Sequence, residues 1–308
     1  DLTPTCRFAK LTLPGDELTL RTWVPSHEPR ACALLVHGLG AHSGWFEAIG
    51  RRLSQNGFLA VAYDHRGFGH RKHLALGSYR QWVSDLCQVY RHLCLSENKP
   101  VYIMANSLGA LLTLIAMSEE PDTFYGSKRR LPGDPVEAEL AERSFALPGL
   151  AMFSPGFDGC PQTFTWWYKL RAVFSALLRP EALVALPYGP ESISRDSYVQ
   201  NWIANDPDHL SRVPGGMLLE LLKLSRRVDA LLPLHIDVPV LMLTAGIERI
   251  VNPAVNKKVF SQLVAPDKQW QEYDDAFHDL MFDPRLDEVV SEICRWQSRV
   301  LAANFSVR

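Results

Sequence analysis

The sequence is poor in features that would place it in a specialised class. Cysteine is sparse, with six residues at positions 6, 32, 87, 94, 160 and 294. That is too few for a disulfide scaffold in a chain of this length, and no two are spaced C-x-x-C, so there is no zinc or thiol-redox motif. They read as reduced packing residues. Charge of one sign is not in excess, since 32 Lys and Arg stand against 34 Asp and Glu for a net −2. Without a basic field, no nucleic acid is expected as a partner. Long apolar runs are missing too. The one candidate, Val101 to Met117, is interrupted by Asn106, Ser107, Gly109 and Thr113 and falls short of a membrane span of about 20 residues. A buried strand turning into a buried helix accounts for it. There is no internal repeat, no low-complexity tract and no His-Glu-x-x-His. Asp1 follows neither a methionine nor a charged-then-apolar leader, so the native N-terminus is read as missing and the expected compartment is the cytoplasm.

What the chain has is core. Hydrophobic residues make up 47% of 308 positions, enough for one large domain with an insertion. Strand formers at Arg7 to Leu13 and Leu18 to Val24 flank Pro14-Gly15-Asp16 and predict an antiparallel hairpin. Short apolar runs follow at Cys32 to Val36, Phe58 to Tyr63, Val101 to Ala105, Leu150 to Phe153 and Val240 to Thr244. Segments of helical spacing separate them, the pattern of a parallel sheet. The stripe Tyr79, Trp82, Val83, Leu86, Val89, Tyr90 and Leu93 marks one helix, and Leu286, Val289, Val290, Ile293, Trp296 and Val300 another. A polar excursion at 121–144 carries no chemistry. The stretch 158–234, with the stripe Phe164, Trp167, Leu170, Phe174 and Leu177 and a second helix near Met217 to Val228, reads as a helical cap inserted into a core of 1–157 and 235–308.

Chemistry is concentrated at the expected strand ends. Ala105-Asn106-Ser107-Leu108-Gly109, between a strand and an apolar helix, has the context of a nucleophile elbow, with Ala in place of the first glycine. Such a turn exposes Ser107 and lets the Leu108 N–H help bind an oxyanion. A hydroxyl nucleophile needs a base and the base an orienting acid. His278, after the predicted strand Trp270 to Tyr273, supplies the first. Glu248, past the strand Val240 to Thr244, is the preferred second, with Asp158 as its rival. Asp274, Asp275 and Asp279 are near His278 in sequence only. His37-Gly38-Leu39-Gly40 can offer the Leu39 N–H as a second oxyanion donor. The same glycines, with Asp64 further on, also mimic a dinucleotide fingerprint, but Gly44 falls one residue late. His65, His70 and His73, beside His37 and His42, lack any specific metal spacing.

In combination these residues resemble the α/β-hydrolase fold, and within it the monoacylglycerol lipase, lysophospholipase and serine aminopeptidase-like group. The likeness runs from residue 31 to about 300. It rests on His37-Gly38-Leu39-Gly40-Ala41-His42-Ser43, Asp64-His65-Arg66-Gly67-Phe68-Gly69, Asn106-Ser107-Leu108-Gly109, Gly246-Ile247-Glu248-Arg249-Ile250-Val251 and Phe277-His278, in that order. The cap segment Asn205-Asp206-Pro207-Asp208-His209 adds to it. The resemblance implies an α/β fold, a mostly parallel sheet with an N-terminal antiparallel hairpin and an inserted helical cap. It makes Ser107 the nucleophile, His278 the base, Glu248 its orienter, and Leu39 and Leu108 the oxyanion donors. The family usually has Gly at Ala105, His at Asn106, Asp at Glu248 and Glu at Ala41. A serine esterase acting on lipid-like or acyl esters, such as monoacylglycerols, lysophospholipids or simple acyl esters, through an acyl-enzyme on Ser107 is expected, requiring no cofactor and no metal, with Trp166, Trp167 and Phe174 of the cap touching substrate and transient membrane or micelle contact through the cap. The rival readings are a non-catalytic ligand-binding protein of the same fold, supported by Ala105 and Glu248, and a hydrolase of amide or thioester bonds.

Overall fold

The computed structural model describes residues 5–13, 16–125 and 146–306, the stretch 303–306 by backbone alone. The predicted turn at Pro14-Gly15 and most of the polar excursion at 121–144 lie outside the described residues.

Each apolar run of the sequence becomes a strand. In chain order these are β1 (Thr5–Leu13), β2 (Asp16–Val24), β3 (Ala31–Val36), β4 (Phe58–Tyr63), β5 (Val101–Asn106) and β6 (Leu150–Phe153). After an insertion come β10 (Val240–Ala245) and β12 (Lys268–Tyr273). They form one sheet of eight strands in the order β1-β2-β4-β3-β5-β6-β10-β12. β1 and β2 pair antiparallel, as do β2 and β4, and every other pairing is parallel.

The strands are apolar without alternation because both faces of the sheet are covered. Leu34, Val36, Ile103, Ala105 and Met152 point to one side, against Trp82, Leu86 and Leu112. Their neighbours Ala33, Leu35, Tyr102, Met104 and Phe153 point to the other, against Ile49, Val289 and Trp296. The helices Tyr79–Glu97 and Leu108–Glu119 therefore lie on the first face, and Glu47–Gln55 and Leu286–Ser306 on the second. Because β3, β5, β6, β10 and β12 run in one direction, the loops after them emerge along one edge. That edge is where ligands bind in open parallel sheets.

The insertion between β6 and β10 is not wholly helical, as the sequence led one to expect. It contains the helices Trp166–Leu178, Pro190–Ile193, Ser197–Asn205 and Gly215–Leu231. It also contains β7 (Leu183–Ala185), paired antiparallel with β8 (Arg212–Pro214). Two short strands, β9 (Leu234–His235) and β11 (Leu263–Val264), pair in parallel beside the core. Among the described residues, no helix is long and apolar enough to cross a membrane.

Candidate active site

β5 ends at Asn106, and the chain turns at Ser107 with φ 50° and ψ −114° directly into the helix Leu108–Glu119. A non-glycine residue in this region is strained, and the surroundings must hold it there. They do so from both sides: the Ser107 N–H donates to Phe153 O at 2.9 Å and Ser107 O accepts from the Gly156 N–H at 2.9 Å. Gly109 is required because a Cβ would stand 2.3 Å from Val36 O. Ala105 meets no such obstacle; its methyl is fully buried in the core between β3 and β6. The departure from glycine at this position is accommodated by the sheet.

The loop after β3 presses on the turn. A Cβ at Gly38 would lie 3.0 Å from Ser107 Cβ. His37 and Asp64 brace this loop. His37 Nε2 accepts from the His65 N–H at 3.0 Å, and its Nδ1–H donates to Gly38 O at 2.8 Å. Asp64 accepts from the Ser43 and His70 N–H groups at 2.7 and 2.9 Å. Burial pushes His37 down to about 4, so it is neutral, and burial likewise drives His65 well below its usual range. These histidines hold backbone. Among the described residues, no group of three or more His, Cys, Asp or Glu side chains is arranged to hold a metal ion. The glycines of the dinucleotide-like pattern are also taken up, Gly38 against Ser107 and Gly40 O by the Leu210 N–H at 2.9 Å.

That last bond belongs to a latch between the inserted segment and the loop carrying Leu39. Asp206 Oδ2 accepts from His42 Nε2–H at 2.8 Å and from Trp45 Nε1–H at 2.9 Å, and Asp208 pairs with Lys72 at 2.8 Å. The Asn205-to-His209 motif thus has a mechanical role that its sequence alone did not show.

Glu248 follows β10 through Gly246, where a Cβ would meet Asp274 O at 2.3 Å. One carboxylate oxygen accepts from the Ile250 and Val251 N–H groups at 2.8 and 3.2 Å; the other accepts from His278 Nδ1–H at 2.8 Å. Burial alone would lower the pKa of His278, but the adjacent Glu248 carboxylate outweighs it, with a smaller contribution from Asp279, and the net shift is upward. Asp158 lines an apolar cavity that also borders Ser107, but its bonds are to other groups than His278. It accepts from the Gly159 N–H at 2.8 Å and lies 3.5 Å from Lys169 Nζ. Asp275 pairs with Arg195 and Arg285 at the surface, while Asp279 is held by Asn106.

Ser107 borders two spaces. The larger, of about 170 Å³, is apolar, lined by Leu39, Leu108, Leu111, Phe164, Tyr168 and Leu221 among others. The smaller cleft adjoins it and brings Ser107 together with His278, Asn106 and Asp279. Ser107 and His278 share this cleft, although no hydrogen bond joins them among the described residues.

Trp166, Trp167 and Phe174 do not line either space, contrary to expectation. They stand 61%, 65% and 54% exposed. The helix Trp166–Leu178 turns its other face inward, with Tyr168, Ala172 and Val173 on the cavity. Its small residues meet the start of the next long helix, where a Cβ at Gly215 would be 2.9 Å from Ala176 N. Close approach selects the small side of the helix, and the large aromatics are left outside.

A strained serine at the carboxyl edge of a parallel sheet, facing a cavity and a His–Glu pair carried on later loops, defines an α/β-hydrolase. The chain belongs to the serine aminopeptidase S33 family, whose profile matches residues 27–127 and 137–285. It is 24% identical over 93% of its length to an uncharacterized abhydrolase domain-containing protein of Dictyostelium discoideum, of which it spans 28%. It is 24% identical to human monoglyceride lipase, covering 92% of this chain and 88% of that one. Among solved structures, a soluble variant of the Saccharomyces cerevisiae monoglyceride lipase superposes with a TM-score of 0.80 at 15% identity, over 97% of this chain and 96% of that one.

Proposed function

We propose that the protein is a serine carboxylic ester hydrolase that cleaves lipid-like acyl esters, of the monoacylglycerol or lysophospholipid kind, through an acyl-enzyme on Ser107. The observation that carries this reading is the strained Ser107 standing between an apolar cavity and a buried His278–Glu248 pair. In this reading the acyl chain occupies the large cavity, and Ser107 Oγ swings to His278 Nε2 and gives it the proton as it attacks the ester carbonyl. The Leu39 and Leu108 N–H groups receive the negative charge on the carbonyl oxygen. His278, now an imidazolium held by Glu248, returns the proton to the leaving alcohol, and water repeats the sequence to release the acid. The names of the monoglyceride lipase relatives support the substrate class. The binding-protein alternative loses its two supports, because Ala105 fits its site and Glu248 reaches His278.

Treatment with a fluorophosphonate, followed by peptide mass analysis, tests the assignment. Stoichiometric labelling of Ser107 in the native protein and none after heat denaturation is the expected result; an unlabelled native protein overturns it.

The outward aromatics give the cap a second role in this proposal. Trp166 and Trp167 stack at 3.6 Å and, with Leu170, Phe174, Leu177 and Leu178, form an exposed apolar face flanked by Lys169 and Arg171. Such a face suits the boundary of a lipid surface. Replacing Trp166, Trp167 and Phe174 together by Ser is expected to weaken flotation with phosphatidylcholine vesicles by about a hundredfold or more, given roughly 1.5–3 kcal/mol for each large side chain buried. Turnover of a soluble short-chain ester is expected to stay unchanged. Equal flotation of the variant would remove this role.

A further inference from the structure

Asp279 is a buried carboxylate to which the hydrolytic sequence above gives no task. The residue is 3% exposed, and Oδ1 accepts from Asn106 Nδ2–H at 2.8 Å. Its backbone N–H donates to Ile193 O, on the cap helix Pro190–Ile193, at 3.0 Å. The residue before the nucleophile is therefore bonded to the residue after the base, and that residue is bonded to the cap. Gly38 confines the same amide from above, since a Cβ there would lie 3.3 Å from Asn106 Nδ2. Asn106, Ser107, His278 and Asp279 line one cleft.

We propose that Asn106 and Asp279 form a positioning pair, which holds the loop of the base against the elbow of the nucleophile and keeps a second negative charge facing His278. The proposal rests on the serine hydrolase reading and deepens it.

The charge argument follows from burial. A carboxylate taken out of water goes neutral unless something favours its ionised form. Burial pushes the Asp279 carboxyl up to about 6, while His278 and the Asn106 amide pull the other way. The groups facing it are His278 on its own loop, Glu248 from the β10 loop, Asn106 from the elbow and Tyr188 from the cap. At neutral pH Asp279 is mostly ionised and supports the imidazolium that forms when Ser107 gives up its proton. Glu248 does so through a bond to Nδ1, whereas Asp279 does so through space and through the placement of the loop.

The test is the pH profile of kcat/KM for p-nitrophenyl butyrate in the wild type, Asp279→Asn, Asn106→Ala and the double variant, with thermal melts confirming folded protein. Asp279→Asn keeps size and hydrogen bonding but removes charge. Its acid limb is expected to move to lower pH, because His278 loses a partner that raises its basicity, and its plateau to fall about tenfold. Asn106→Ala leaves the carboxyl without its donor, so Asp279 protonates at higher pH, His278 loses part of the same support, and the limb moves down as well, by less than in Asp279→Asn. The double variant is expected to follow Asp279→Asn, because Asn106 acts through Asp279. A purely structural pair would lower rates without moving either limb. Limbs that stay at the wild-type pH, or that move upward, overturn the proposal. A wild type that fluorophosphonate fails to label overturns the hydrolase reading itself, and the two failures are therefore separable.

Discussion

Replacing Ser107 with Ala is expected to lower kcat for a p-nitrophenyl ester by about 10⁴-fold or more, the scale on which serine hydrolases lose their nucleophile. Fluorophosphonate labelling should vanish with it. The fold should not suffer, because what holds the turn is backbone: the bonds to Phe153 O and from Gly156 N–H, and the close approach of Gly109 to Val36. Alanine at 107 keeps all of these and keeps the same strained φ of 50°. The melting temperature is therefore expected within about 2 °C of wild type, roughly the shift that 1 kcal/mol produces in a domain this large. Differential scanning fluorimetry beside the rate assay checks both halves. A variant that is fully active moves the chemistry away from Ser107. A variant that is inactive because it has unfolded shows that the turn depends on the hydroxyl, which the bonds described here do not predict.

The sheet was legible in the sequence for a simple reason. Strands buried on both faces have no freedom to be polar, so β3, β4, β5, β6 and β10 appear as uninterrupted apolar runs with buried residues throughout. The elbow was legible because its requirements are local: a strand, a serine, and a glycine where a helix must touch β3. The partnership of His278 and Glu248 could be read from their places after successive strands of one sheet, since topology brings such loops to one edge.

The cap was harder. Periodicity shows that a helix has an apolar stripe, but not whether that stripe meets protein. In Trp166–Leu178 the buried side is the one with Ala172 and Ala176, chosen by close approach to Gly215, and the conspicuous stripe faces out. Nor does sequence show pairs such as Asn106 with Asp279, or Asp206 with His42 and Trp45, which are separated by 173, 164 and 161 positions and meet only in the folded chain. Asp279 stood beside His278 in sequence, yet its partner is on the other side of the cleft. Side chains at consecutive positions of a loop point in different directions, and adjacency to a histidine says little about which nitrogen a carboxylate will reach.

That distinction sets the second large effect, at the acid. Glu248→Gln retains the shape of the side chain and an oxygen for the Ile250 and Val251 N–H groups, but it presents His278 Nδ1 with an amide in place of a carboxylate. If the amide N–H faces the ring, Nδ1 must accept, the proton moves to Nε2, and the base can no longer take the proton of Ser107. A loss in kcat of about 10³–10⁴-fold is expected, as for an Asp-to-Asn change in a comparable triad. The pH profile should change as well. His278 must be neutral to act as a base, and the Glu248 carboxylate is what raises its pKa above 6.5 against the opposing effect of burial. Removing that charge lets burial prevail, so the acid limb moves to lower pH even as the plateau falls. Asp158→Asn is the control of equal chemistry. Its side chain is 38% exposed at the wall of the large cavity and engaged with Gly159 and Lys169, so a change within about fivefold is expected, in KM rather than kcat, as for a group that lines the acyl site without touching the base. The reverse ranking would mean that the acid acts from the loop after β6 and that the Nδ1 bond to Glu248 is not the one used in turnover. The expected ranking, with the limb displaced downward, would show that a glutamate, one methylene longer than the aspartate usual at this position, orients the base through the loop that Gly246 allows to turn.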